Sequence, residues 1–128
     1  MRKLALCVTA LLVLAGRAQA QDRRLVNDLK QIGLAYHNYF EANRKGPAKA
    51  EDLAPYLEND QRLVNLLKND VVFAYNVGIL DMKDGTSNTV LAYPKDVPTK
   101  GGPALYGDGS VKKLTADQFK SAIIAKKK

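Results

Sequence analysis

Between Arg23 and Asn43 the large apolar side chains fall at Leu25, Leu29, Ile32, Tyr36 and then Tyr39 or Phe40. Steps of three and four residues place them on one stripe of an α-helix, with Val26, Gly33 and His37 along its edge. Asp22 stands where a helix cap is expected, and Asn43 followed by Gly46-Pro47 reads as a stop. At 1.5 Å per residue such a helix runs about 30 Å, the width of a small domain, so the rest of the chain is expected to pack along it. Residues 46–49 read as a loop. Residues 50–57 form a short helical stretch with Leu53, Tyr56 and Leu57 apolar, and Pro55 inside it limits it to a turn or two. Residues 60–68 repeat the helical pattern through Leu63, Val64, Leu66 and Leu67, and Asn69-Asp70 ends it.

The pattern then changes period. Residues 71–77, Val-Val-Phe-Ala-Tyr-Asn-Val, are rich in β-branched and aromatic side chains and read as a strand. Residues 84–88, Asp-Gly-Thr-Ser-Asn, form a turn cluster, and residues 89–93 a second strand closed by Pro94. Residues 96–103 read as a loop, with two prolines and Gly101-Gly102. Residues 104–106 make a third strand and 110–114 a fourth. Gly107-Asp108-Gly109 lies between them, and Asp-Gly flanked by two such runs is a strong hairpin signal. Thr115 is placed to cap a last helix whose apolar face includes Phe119 and Ile123. Helices first, then an antiparallel meander, then a closing helix predict an α+β fold: a long N-terminal helix packed on a small antiparallel sheet, with a short C-terminal helix.

A different kind of segment precedes the long helix. Arg2 and Lys3 are followed by an apolar run over residues 4–15, broken only by Thr9, and by Ala18-Gln19-Ala20. A basic start, a short apolar core and an A-x-A site make a cleavable secretory leader over residues 1–20. The run is shorter than the roughly 20 residues a membrane-spanning helix needs. Arg17 occupies the place of a lipidated cysteine, and no twin-arginine pair precedes the apolar run. The expected working chain is therefore residues 21–128, one domain with no membrane span, periplasmic or extracellular. The lone cysteine, Cys7, lies in the leader, so residues 21–128 carry neither disulfide nor thiol chemistry.

The net charge of +7 is not a property of the whole surface. Residues 21–111 hold 11 basic and 12 acidic side chains, while residues 112–128 hold six lysines and one aspartate. A basic tail from about residue 125 is expected to be solvated, and the near-neutral body does not read as a nucleic-acid binder.

Three phrases carry a resemblance. Residues 27–39, Asn-Asp-Leu-Lys-Gln-Ile-Gly-Leu-Ala-Tyr-His-Asn-Tyr, resemble the "NLKQIGLALHNY" segment of the DUF1559-type family, planctomycete-type bacterial proteins of unknown function. Residues 84–91 resemble its "DGTSNT" segment, and residues 107–111 its closing "ADGSV" hairpin. The phrases come in the family's order and span most of residues 21–128. Members usually carry a prepilin leader and a long apolar helix, as in type IV pilins and type II secretion pseudopilins. Here an A-x-A leader stands in that place, and Gln21-Asp22-Arg23-Arg24 opens the polar half of the helix. The resemblance thus implies a soluble, pseudopilin-like head without the apolar helix on which filament assembly depends.

Candidate chemistry is sparse. His37 is the only histidine, and a general base needs an orienting partner and a nucleophile. Neither Ser87 nor Ser110 lies in G-x-S-x-G, and Gly101-Gly102-Pro103 lacks the helix and lysine of a phosphate loop. A zinc site would need several nitrogen or sulfur ligands. The turn at Asp84, Ser87 and Asn88, with Asp108, is the candidate binding site. Asp81, Asp84 and Asn88 are candidate calcium ligands, because calcium accepts loop oxygens, and the resemblance to calcium-binding major pseudopilins points the same way. The same short polar residues also suit backbone turns with no ligand. Three functional readings follow: a non-enzymatic protein that contacts envelope or extracellular proteins, a small-ligand or calcium-binding module using the Asp84–Asn88 turn, and a hydrolase. The first expects an exposed apolar patch, the second converging oxygens, and the third a cleft with paired titratable groups.

Overall fold

The computed structural model describes the backbone of residues 2–126 and the side chains of residues 21–126. The side chains of the expected leader and the last two lysines of the tail lie outside the described residues.

Helix α1 (Arg2–Asn43) packs one face of its second half against the core of the domain. Leu29, Ile32, Ala35 and Tyr36 are fully buried, and Phe40 is nearly so, which is the stripe the spacing predicts. Each large side chain buried in this way contributes about 1.5–3 kcal/mol. A 3₁₀ turn over Ala50–Leu57 and helix α2 (Gln61–Asn69) cover one side of α1. The 3₁₀ segment inserts Leu53 and Leu57 and ends where Glu58 and Asn59 both take left-handed backbone, φ 56° and 57°. Asp60 caps α2 by accepting from the Arg62 amide at 2.9 Å. Arg62 reaches back to α1, where both of its terminal nitrogens donate to the buried Asp28 carboxylate, at 2.8 and 3.0 Å. A planar guanidinium on a carboxylate gives this helix–helix contact a fixed geometry.

The sheet has the order β1–β2–β3–β4, from Val71–Phe73, Thr89–Pro94, Gly102–Tyr106 and Val111–Leu114, each pair antiparallel. Central strand β2 is buried almost throughout, as a strand covered on both faces must be. Leu91, Ala92 and Leu105 join the α1 stripe in the main core, while Val90, Ala104 and Tyr106 form a smaller cluster. On that second side Phe119, from helix α4 (Ala116–Lys120), packs edge-on against Tyr93. The α+β architecture is thus a long helix on a small sheet with a short closing helix.

Four details differ from the sequence pattern. Strand β1 stops at Phe73, because the chain must turn at Asn76 (φ 64°) to bring Val77 under Tyr36. The stretch after Asp96 contains a one-turn helix, α3 (Val97–Lys100), that buries Val97. Asp22 is itself helical and, instead of capping, forms an ion pair with Lys113 of β4. Finally, α4 ends at Lys120, and Ile123–Ile124 form a fifth strand, β5, parallel to the start of β2. β5 shares with β1 the edge of β2 opposite β3. Among the described residues no helix is long and apolar enough to cross a membrane.

Candidate functional site

The Asp84–Asn88 turn, the Gly107–Gly109 turn and the middle of α1 meet at one place. On α1, Gly33 and His37 stand one turn apart on the same face. A methyl group on Gly33 would lie 2.9 Å from Leu105 Cδ1 and 3.2 Å from Gly109 Cα, so the bare glycine lets the β3–β4 turn approach the helix. One turn on, His37 Nε2 is 2.7 Å from the carbonyl oxygen of Gly107. A carbonyl only accepts, so Nε2 carries the proton and donates. The only histidine therefore pins the hairpin turn to the helix.

The hairpin turn is rigid in itself. Gly109 has φ 90° and its amide donates to Tyr106 O at 3.0 Å. Asp108 Oδ1 accepts from both the Ser110 amide, 3.0 Å, and the Ser110 hydroxyl, 2.6 Å. Partial burial pushes the Asp108 carboxyl up. The Ser110 bonds, its own backbone and the charge of Lys112 outweigh that and hold it below the usual carboxylate range.

The second turn is bonded to the first through the backbone. Asp108 N donates to Thr86 O at 3.2 Å and Gly107 N to Thr89 O at 2.9 Å. Within the Asp84–Asn88 turn, Gly85 (φ 94°) allows a reversal that Asn88 Nδ2 closes on Asp84 O at 3.0 Å, and Thr89 Oγ1 donates to Gly85 O at 2.8 Å. All three phrases that carry the family resemblance are thus joined by hydrogen bonds or by van der Waals contact.

The candidate ligands divide between two depressions. Asp81 and Asp84, with Lys83, Thr89 and the β5 residues, line an open hollow of about 300 Å³. Asp81 Oδ2 already accepts from Gly78 N at 2.9 Å. Asp108 lies instead in a hollow of about 280 Å³ with Lys30, Leu34, His37 and Gly109. Ser87 and Asn88 are exposed on the turn. Among the described residues no three His, Cys, Asp or Glu side chains come together as a metal group. Tyr36, buried beneath this region, donates to Val77 O at 2.8 Å. Burial first, and then the nearby Asp81 charge, push its phenol well above the ordinary range.

Leu34 is the feature that the sequence pattern passed over. It is 64% exposed, on an outward stripe of α1 otherwise made of Asn27, Lys30, Gln31, Asn38 and Glu41. One flank is the His37–Asp108 hollow. The other is a groove of about 380 Å³ that includes Tyr56, Leu57 and Glu58. Its signal was present in the sequence: a leucine between Gly33 and Ala35, off the buried stripe.

Fold and site together define an α+β domain in which a helix and two polar turns lock into one surface. No family model, curated protein or solved structure compared with the chain matches it.

Proposed function

We propose that this is an exported, non-enzymatic protein, a pseudopilin-head-like domain of the envelope or extracellular space that acts by contacting other proteins. The observation that carries the reading is Leu34, a large apolar side chain held in water on the rigid middle of α1, between two hollows. Burying such a side chain on a partner gains about 1.5–3 kcal/mol, and contact hot spots are built in this way, as an anchor on a fixed scaffold. The polar groups around it support the same reading. His37 donates to a backbone carbonyl and Asp108 accepts from Ser110, so both titratable groups serve the fold. The leader pattern of residues 1–20 supports export.

The test is a photo-crosslinking amino acid placed at residue 34 in the full-length chain, expressed in its own cell. Asn38, exposed one turn further along the helix, is the control position. The expected result is a discrete protein adduct from position 34 that is weak or absent from 38, on a product whose N-terminus is Gln21. Equal labelling at both positions would refute the contact surface, and a product retaining Met1 would refute export by cleavage.

A further inference from the structure

The chain contains two Asp-Gly pairs, Asp84-Gly85 and Asp108-Gly109, and both aspartates are exposed. The chemistry of the pairs is the same. A glycine amide nitrogen next to an aspartate can attack the side-chain carbonyl carbon, because no Cβ shields it. The new N–Cγ bond closes a succinimide, and the carboxyl hydroxyl leaves as water with the amide proton. Water then opens the ring. Cleavage at Cγ returns aspartate, and cleavage at the α-carbonyl leaves the main chain running through the side chain as isoaspartate. Water is the only other reactant.

Their surroundings differ. Gly85 N and Gly109 N each donate to a backbone carbonyl, at 3.1 and 3.0 Å, so neither nitrogen is favoured. The carboxylates are unlike. Asp108 Oδ1 is clamped by the Ser110 amide and hydroxyl at 3.0 and 2.6 Å, and these two bonds must break before the group can swing onto its own following nitrogen. Among the described residues nothing donates to the Asp84 carboxylate. Only the backbone oxygen of Asp84 is used, by Asn88 Nδ2. The side chain is therefore free to rotate toward Gly85 N.

We propose that Asp84-Gly85 is a site of spontaneous modification in the folded protein, converting Asp84 to isoaspartate, while the fold protects Asp108-Gly109. The inference is independent of the proposed function. Its consequence falls on the junction of the turns. Isoaspartate adds a methylene to the main chain and turns the Asp84 carbonyl into a free carboxylate. The acceptor of the Asn88 bond leaves the main chain, and the carbonyls of Gly85 and Thr86, which accept from Thr89 Oγ1 and Asp108 N, are displaced.

The experiment ages the intact protein at neutral pH and elevated temperature. Isoaspartate is counted by enzymatic isoaspartyl methylation in the chymotryptic peptides covering residues 81–91 and 107–114, which separate the two pairs and keep a residue before each aspartate. The expected result is a several-fold excess at residue 84 in the folded chain that disappears in denaturant. Asp84→Glu should abolish the label in its peptide. Ser110→Ala, which removes one of the two clamps, should raise labelling at Asp108 several-fold. No isoaspartate at residue 84 in the folded chain, equal rates at the two pairs, or the same excess in denaturant would overturn the proposal. So would a Ser110→Ala chain, folded by circular dichroism, whose Asp108 labelling is unchanged.

Discussion

Replacing Gly33 by alanine sets two known effects against each other, and the structure decides between them. Glycine inside a helix is worse than alanine by about 0.5–1 kcal/mol, so an isolated or solvent-facing α1 would gain that much from Gly33→Ala. In the folded chain the new methyl would sit 2.9 Å from Leu105 Cδ1 and 3.2 Å from the Gly109 backbone. Leu105 is fully buried and Gly109 is tied into the hairpin turn, so neither gives way cheaply. Overpacking of this kind costs about 1–3 kcal/mol. The balance is a net loss of about 1 kcal/mol, a fall in melting temperature of about 4 °C for a domain of this size. Urea unfolding measures it. A double mutant with Leu105→Val separates the causes, because removing Cδ1 relieves the nearer contact. The pair should then be coupled by at least about 0.5 kcal/mol in the favourable direction. Stabilisation by Gly33→Ala alone, at the value expected for an open helix, would refute the seating of the β3–β4 turn on α1.

The remaining predictions concern the same junction. His37→Phe keeps the ring and removes the donor, leaving the Gly107 carbonyl without its partner, 2.7 Å away in the native chain. The expected cost is about 1 kcal/mol, read by thermal unfolding, and an unchanged melting temperature would count against the pin. Asp108→Ala should destabilise at neutral pH but have less effect as the solution is acidified. The folded chain holds the Asp108 carboxyl below its ordinary value, so its contribution is complete above the unfolded value of about 4 and is lost as pH falls through the lower folded value. A difference between wild type and variant that grows on acidification would reverse the assigned sign.

Much of the fold was legible because burial follows period. The stripe from Leu25 to Phe40 is a helical pattern; Leu29, Ile32, Tyr36 and Phe40 are buried on it, and Leu25 and Tyr39 are partly buried at its margins. The Asp108-Gly109 hairpin was legible from its turn chemistry. The departures share one cause, the dependence of short elements on distant partners. Residues 71–77 have strand composition throughout, but a strand needs a neighbour, and of these residues only Val71–Phe73 pair with β2, with one further backbone bond from Ala74 N to Leu91 O. Beyond Phe73 the chain bends to deliver Val77 to the Tyr36 hydroxyl, a contact 41 residues apart in sequence. Ile123 continues the apolar pattern of α4, but it is taken by the open edge of β2 that β1 leaves uncovered at Thr89 and Val90. No local signal announces a vacant edge.

The site was legible in pieces and not as an assembly. The two glycine turns and His37 could each be picked from the sequence, since the special backbone of Gly85 and Gly109 and the single imidazole are properties of individual residues. What the sequence did not hold was their relation. His37 and Gly107 are 70 residues apart, and the bond between them exists only because the Gly33 gap brings the hairpin against the helix. That relation changes the meaning of the residues. A histidine and an aspartate near one hollow resemble an acid–base pair until their partners are known. With Nε2 on a carbonyl and Oδ1 on Ser110, the two groups hold a scaffold in shape. Among the positions this scaffold leaves chemically open are the apolar surface of Leu34 and the Asp84 carboxylate beside its glycine.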